Sequence, residues 1–334
     1  MIDLGKRNDS VKEKLDNNYF TLNIDSSTND NLKESLLSLP EYIKYREIYN
    51  NAVSGVEYDF PIHIDVENIY ACNLSCIHCA RQYVKNQKLQ KMETDLYEKL
   101  LTEAVKIGTR SLGFAIWGEV FLDKDIFKKI RFAKNSGIID IRLHSNGLLI
   151  DENVADKIVQ SGVSFISISL DAVTEAVYNK MRGGNFNKAV FAIGNIINAK
   201  LFNNSLTPEL RVSFVKTNIN ENEAEMFSKI FGQYCDVAIQ EFYDPISSLP
   251  DLNPKNKMFQ NKVKCFENFF KVFVRYNGDV VPCCEDINSN ITFGNVKTDT
   301  LYNIYNSSLS KNFRRQHKEG MIKNKHCRIC LGLN

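Results

Sequence analysis

Between Pro61 and Tyr243 the chain alternates β-type and helical segments six times, and this alternation constrains the fold most. IHIDVEN, RSLGFAIW, IDIRLHS, VSFISISL, ELRVSFVK and VAIQEFY read as strands. The first five are each followed by a helical pattern. Strands separated by helices imply parallel βαβ units. VSFISISL is apolar or small on both faces, as expected of a strand in a covered parallel sheet. Six repeats in about 185 residues suit a partial or full α/β barrel, whose chemistry sits at the C-terminal ends of the strands. In the first crossover, Met92 to Gly108 reads as a helix, with Asp95 and Glu98 as a capping box and Gly108 as the C-cap glycine.

The flanks differ. Residues 1–30 are polar and aperiodic and read as a mobile arm. Residues 31–53 read as two short helices broken at Pro40, with Gly55 after the second. DPISSLPDLNPKNK carries three of the seven prolines and reads as a linker. Beyond it, FKVFVRY and DVVPC flank an Asn277-Gly278 turn, a strong hairpin signal. The expected organisation is an arm and helical cap over 1–57, a βα core over 58–245, and a linker with a smaller unit over 246–334.

Composition narrows the class. The 42 Lys and Arg against 40 Asp and Glu give no support for polyanion or nucleic-acid binding. No apolar run approaches the roughly 18–20 residues that cross a bilayer. The N-terminus lacks the apolar core of a signal peptide, which points to the cytoplasm, where thiols stay reduced. Nine cysteines, an odd number, do not suit a closed disulfide framework. Metal ligation or reactivity is the better expectation.

Cys72, Cys76 and Cys79 form a C-x3-C-x2-C run directly after the first strand. Three thiolates on one short loop can converge on a metal centre. A structural zinc site wants four protein ligands, and His78 is an awkward fourth beside Cys79. A four-iron cluster held by three cysteines keeps one iron open, the mark of a reactive centre.

This run, placed after the first strand of a six-fold βα array, resembles the radical S-adenosylmethionine superfamily, His78 filling its aromatic position before the last cysteine. The resemblance implies a partial (β/α)6 TIM-type barrel. It also implies a [4Fe-4S] cluster whose open iron chelates S-adenosylmethionine, and an external one-electron reductant such as flavodoxin or ferredoxin. Trp117-Gly118-Glu119 is similar to the family's Gly-Gly-Glu segment, with Trp117 replacing the first glycine. Gly118 and Glu119 would then hold the methionine ammonium. Ser145-Asn146-Gly147 is similar to a segment near the nucleoside. Ser169 and Asp171 resemble the family's cofactor-contacting serine and acid, and Arg182 an arginine reaching the cofactor carboxylate. His144 is a further residue that could face the substrate, or a structural histidine.

Cys265 is followed by twelve residues, Gly278, four residues and Cys283; Cys327 and Cys330 end the chain as C-x2-C. Four such thiolates make a complete metal site, and zinc fits the count equally well. The layout resembles the auxiliary-cluster region of the SPASM/twitch subgroup, implying a second [4Fe-4S] cluster. Cys284 adjoins Cys283 and is the alternative ligand. Cys235 and Cys284 are then left over.

Two enzyme readings follow. One is two-electron dehydrogenation of an alcohol or amine carbon in a small, sugar- or cyclitol-like substrate. The other is epimerisation, with Cys235 or Cys284 as hydrogen donor; peptide modification also occurs in the subgroup. A zinc-bound scaffold is the non-enzyme alternative.

Overall fold

The structure of the protein is a computed structural model, and it describes residues 40–84, 89–114, 117–244, 249–254 and 265–333. The six expected strands are β1 (His63–Val66), β2 (Ser111–Phe114), β3 (Asp140–Ser145), β4 (Phe165–Ser169), β5 (Glu209–Lys216) and β6 (Asp236–Glu241). All neighbours among them pair in parallel. Three further strands follow: β7 (Lys271–Val274), β8 (Asp279–Val281) and β9 (Gly294–Asn295). The sheet order is β6-β5-β4-β3-β2-β1-β7-β8-β9.

One expectation changes here. The hairpin read as part of a separate unit joins the barrel sheet: β7 lies parallel to β1, and only β8 and β9 run antiparallel. All four residues of β7 are buried, as a parallel strand covered on both faces requires.

Alternation divides the sheet into two chemically distinct faces. Ile64, Val66, Leu112, Phe114, Ile141, Leu143, Ile166, Ile168, Val212 and Phe214 join the helices in one core. The helices covering that core include α2 (Thr94–Ile107), α3 (Ile126–Ser136), α4 (Glu152–Gln160), α5 (Glu175–Met181), α6 (Phe186–Phe202) and α7 (Ala224–Phe231). The opposite face is largely polar, with Phe165 and Phe273 set among its charged and hydroxyl groups. Register places Lys271, His63, Ser111 and Asp140 in one row and His144, Ser167, Arg211 and Asp236 in a higher one. His63 bridges Ser111 Oγ at 2.7 Å and Asp65 Oδ1 at 2.9 Å. Gly113 makes room for this: a Cβ there would stand 2.1 Å from Asp65 Oδ1.

Helix α1 (Pro40–Val53) starts at the proline, whose missing N–H costs nothing at a first helical position. The helix expected before it lies outside the described residues, as does the polar arm. Tyr42, Tyr45 and Tyr49 of α1 pack with Ile62 and Phe270 at the N-terminal end of the strands. Tyr45 donates to Asp140 Oδ2 at 2.8 Å. That bond sits in a fully buried polar row, so Tyr45→Phe is expected to cost about 1.5–3 kcal/mol. A lower urea midpoint with catalysis unchanged is the expected reading.

Helix α2 carries the expected cap at one end only. Gly108 is left-handed at φ 117° and its N–H reaches Ala104 and Val105. At the other end Glu93 precedes the helix and no side chain caps it, so Asp95 and Glu98 do not form the capping box. Asp95 lies within the first turn, where its charge favours the helix dipole. No helix of the described residues is long and apolar enough to cross a membrane.

Candidate active site

The loop after β1 carries Cys72, Cys76 and Cys79 to the C-terminal ends of the strands. Cys76 is buried, and Cys72 and Cys79 are half-buried. Ile77 N–H donates to Met181 O at 2.9 Å, tying the loop to the end of α5. The Asn146 amide donates to Asn73 Oδ1 at 2.8 Å and lies 3.8 Å from Cys72 Sγ. Burial pushes the Cys76 thiol up to about 12, with Arg182 opposing and Cys79 and Cys72 adding to it. Burial likewise raises Cys79. Such thiols keep their protons until a metal displaces them. Among the described residues no three His, Cys, Asp or Glu side chains form a ready site for a single ion.

The loop abuts the end of β2. Gly118 is required there: a Cβ would stand 2.0 Å from Ile69 O and 3.0 Å from Ala71 O, both main-chain atoms. Glu119 N–H donates to Ala71 O at 2.7 Å. The buried Glu119 carboxylate accepts from Ser145 Oγ at 2.8 Å, Asn146 N–H at 2.8 Å and Phe121 N–H at 3.3 Å. Burial raises its pKa, and those donors oppose the rise. Ser145 and Asn146 therefore act first on Glu119 and the cysteine loop.

Asp171 follows β4 with φ 60°, in the left-handed region. Its Oδ1 accepts from Val215 N–H at 2.7 Å, while Oδ2 meets Arg182 Nη1 and stands 3.5 Å from His78 Nε2. Its carbonyl accepts from Asn220 at 2.9 Å. Both carboxylate oxygens thus accept from protein groups, as those of Glu119 also do, and Asp171 orients Arg182 and His78. Arg182 Nε and His78 Nδ1 are buried with no hydrogen-bond partner among the described residues. Ser169 pairs with Ser213 Oγ at 3.4 Å.

This donor set fits an amino-acid zwitterion beside a thiolate-held cluster. Glu119 offers a buried carboxylate for an ammonium, and Arg182 a buried guanidinium donor for a carboxylate.

The second set of thiols lies just before β7 (Cys265), just after β8 (Cys283) and on α8 (Lys325–Cys330), which carries Cys327 and Cys330. Cys327 is buried and capped by Asn324, whose Oδ1 accepts from Cys327 N–H at 3.1 Å. Cys330, three residues on, shares its helix side. Burial raises Cys265 to about 12, with Glu267, Cys330 and Cys327 contributing charge. Burial also raises Cys283, to which Cys284, Glu285, Cys265 and Cys327 add. Cys283 thus lies near Cys265 and Cys327 as well as its neighbour Cys284. Cys284 sits 3.7 Å from Glu285 Oε1; burial raises its thiol, Glu285, Glu267 and Asp65 add to the rise, and Lys271 opposes it.

Cys235 does not suit the donor role expected of it. It precedes β6, at the strand end opposite the cysteine loop, and packs in the helix-side core with its thiol 3.5 Å from Phe231 O. A small apolar side chain suffices there. Asn73, which ties the loop to Asn146, went unmarked in the sequence; its position inside the cysteine run was the available signal.

Comparisons with known proteins bear on the family and the fold. Residues 67–210 match the family model described as the radical SAM superfamily, and residues 265–331 match SPASM, an iron–sulfur cluster-binding domain. A probable GTP 3′,8-cyclase of Methanococcus vannielii is 30% identical over 152 residues, 46% of this chain and 48% of that protein. The mycofactocin maturase MftC of Mycolicibacterium smegmatis is 27% identical over 177 residues, 53% of this chain and 43% of that protein. The chain thus spans about half the length of the curated relatives it matches. Among solved structures, BtrN in complex with AdoMet and 2-DOIA aligns with TM-score 0.57 and 16% identity, covering 80% of this chain and 90% of that one. Streptococcus suis SuiB bound to its precursor peptide SuiA aligns with TM-score 0.62 and 15% identity, covering 89% and 74%. At these identities the structures establish the shared fold.

Proposed function

Because this chain belongs to the radical S-adenosylmethionine superfamily and carries a SPASM-type domain, with S-adenosylmethionine and two [4Fe-4S] clusters as its cofactors, we propose that it oxidises a polar substrate by two electrons. The observation carrying this reading is the convergence of the Cys72–Cys76–Cys79 loop, Glu119 and Arg182 above a polar inner sheet face. In this reading the three thiols hold the first cluster, Glu119 takes the methionine ammonium and Arg182 its carboxylate. Bound there, the cluster and S-adenosylmethionine would supply one-electron chemistry for removing a hydrogen atom from the substrate, and the auxiliary cluster would supply an acceptor for the second electron.

The chain's own residues do the positioning. Ser145 and Asn146 fix the Glu119 carboxylate, and Asp171 fixes Arg182. Cys265, Cys283, Cys327 and Cys330 hold the auxiliary cluster. The row of His144, Ser167 and Arg211 offers hydrogen-bonding groups to an alcohol- or amine-bearing molecule, sugar- or cyclitol-like in size. The substrate proton leaves to solvent or to a base on this face. An external one-electron reductant of the flavodoxin or ferredoxin kind primes the reaction. Peptide modification is the second reading; the likeness to MftC, a mycofactocin maturase, favours it.

The test is anaerobic incubation of the reconstituted full chain with dithionite and S-adenosylmethionine. Formation of 5′-deoxyadenosine is expected, and its absence would remove the proposal. With a substrate in hand, a product two hydrogens lighter supports oxidation. Deuterium uptake from solvent at unchanged mass balance points instead to epimerisation.

A further inference from the structure

Charge is spread unevenly along this chain. From Ser308 to Asn334 there are seven Lys and Arg against one acidic residue, Glu319, while the other 307 residues carry 35 against 39. The fold puts most of this excess on the surface. The helix Ser308–Glu319 buries Ser310, Phe313, Arg314 and His317, and Lys311, Arg315 and Lys318 follow at i, i+4 and i+7 on its exposed side. After the turn at Gly320 the chain stays beside this helix, the Lys323 N–H donating to Gln316 Oε1 at 3.2 Å. Lys325 opens α8, two residues before Cys327.

Arg314 is buried and pairs with Glu57 at 2.9 Å. The five exposed cations, Lys311, Arg315, Lys318, Lys323 and Lys325, are different. Among the described residues none of them forms an ion pair, and Arg315 reaches only the neutral Asn312 Oδ1 at 2.8 Å. Like charges set side by side repel one another and create a local positive potential that an anionic surface relieves.

Two further observations bear on the partner. Leu309, 50% exposed, shares an open hollow with Lys311, Asn312 and Arg315, and Met321 and Ile329, 59% and 42% exposed, flank Lys323 and Lys325 in the chain. Cys330, at the end of α8, is exposed as well. A few apolar side chains inside a charged rim, beside a thiol at the surface, suit a brief and electrostatically steered encounter between redox proteins. An extended polyanion has no need of either.

We propose that this basic face docks an acidic one-electron carrier protein. The need for the carrier rests on the oxidation reading above. The electron lent to cleave S-adenosylmethionine is matched by the one the oxidised substrate leaves on the auxiliary cluster, and the proton goes to solvent. The carrier thus lends one electron and recovers one.

The experiment is biolayer interferometry of the reconstituted full chain, at low and high salt, against an acidic flavodoxin carrying FMN and an acidic [2Fe-2S] ferredoxin. The parent is expected to bind one of them at low salt and to release it as salt rises. The triple variant Lys311→Glu, Arg315→Glu, Lys318→Glu should bind about tenfold or more weakly. A control of equal charge change, Lys106→Glu, Lys157→Glu, Lys188→Glu, at exposed positions on α2, α4 and α6, should bind as the parent does. Dithionite replaces the carrier, so 5′-deoxyadenosine formation driven by it should persist in both triple variants and shows that they fold. A patch variant that binds like the parent would overturn the proposal. So would a control weakened as much as the patch variant, which would make net charge the cause. A parent that binds neither carrier, or that binds heparin, single-stranded DNA or anionic phospholipid vesicles in their place, would overturn it as well. A parent that forms no 5′-deoxyadenosine would remove the oxidation reading, and the binding comparison would still decide the docking face.

Discussion

Cys76→Ala is expected to reduce 5′-deoxyadenosine formation to background and to lower the iron content by about four per chain. Cys76 is the most buried of the three loop thiols, and Cys72 and Cys79 contribute to its pKa shift. A serine there should not rescue, because a hydroxyl is a harder and far less acidic ligand than a thiol. Cys235→Ser is the matched control. Its thiol lies at the other end of the barrel, so cleavage should persist at or near the parent rate. Equal losses in the two variants would mean that fragility of the fold, and not loss of a ligand, explains the first result.

Gly118→Ala is the second large effect expected, and it is unusual for so small a substitution. The added carbon has no space, with Ile69 O at 2.0 Å and Ala71 O at 3.0 Å. Both obstacles are main chain, so no side chain can swing aside. Either β2's exit or the segment leading to Cys72 must move, and the Glu119 N–H to Ala71 O bond of 2.7 Å is the link that breaks. Glu119 and the cysteine loop would separate, the two groups that must meet one ligand. A displacement of about 1 Å costs on the order of 10²-fold in rate, and a drop of that size in S-adenosylmethionine cleavage is expected. Iron should be largely retained, since no thiol is removed. An alanine variant with parental kinetics would show that this junction does not hold the cofactor.

These two positions also show what a reader of the sequence can and cannot see. The C-x3-C-x2-C run is legible because its ligands are consecutive and its strand is marked by alternation. Gly118-Glu119 is legible as a pair, but not the reason for the glycine, which is a carbonyl about fifty residues earlier in the chain. The sixfold βα pattern is legible because each helix carries its own period. The place of β7 is not: FKVFVRY looks like half of a hairpin, and its parallel partner β1 lies more than 200 residues away. Asp171 resembles the family's cofactor-contacting acid. Only the fold shows that Val215, Arg182 and His78 take up both its oxygens.

The central claim is that the two thiol groups hold two four-iron clusters. Iron, sulfide and zinc analysis of the anaerobically reconstituted full chain tests it most directly. The account predicts a brown protein with about eight irons and about eight sulfides per chain, from two four-iron clusters. A colourless protein holding two zinc ions and no iron would contradict it.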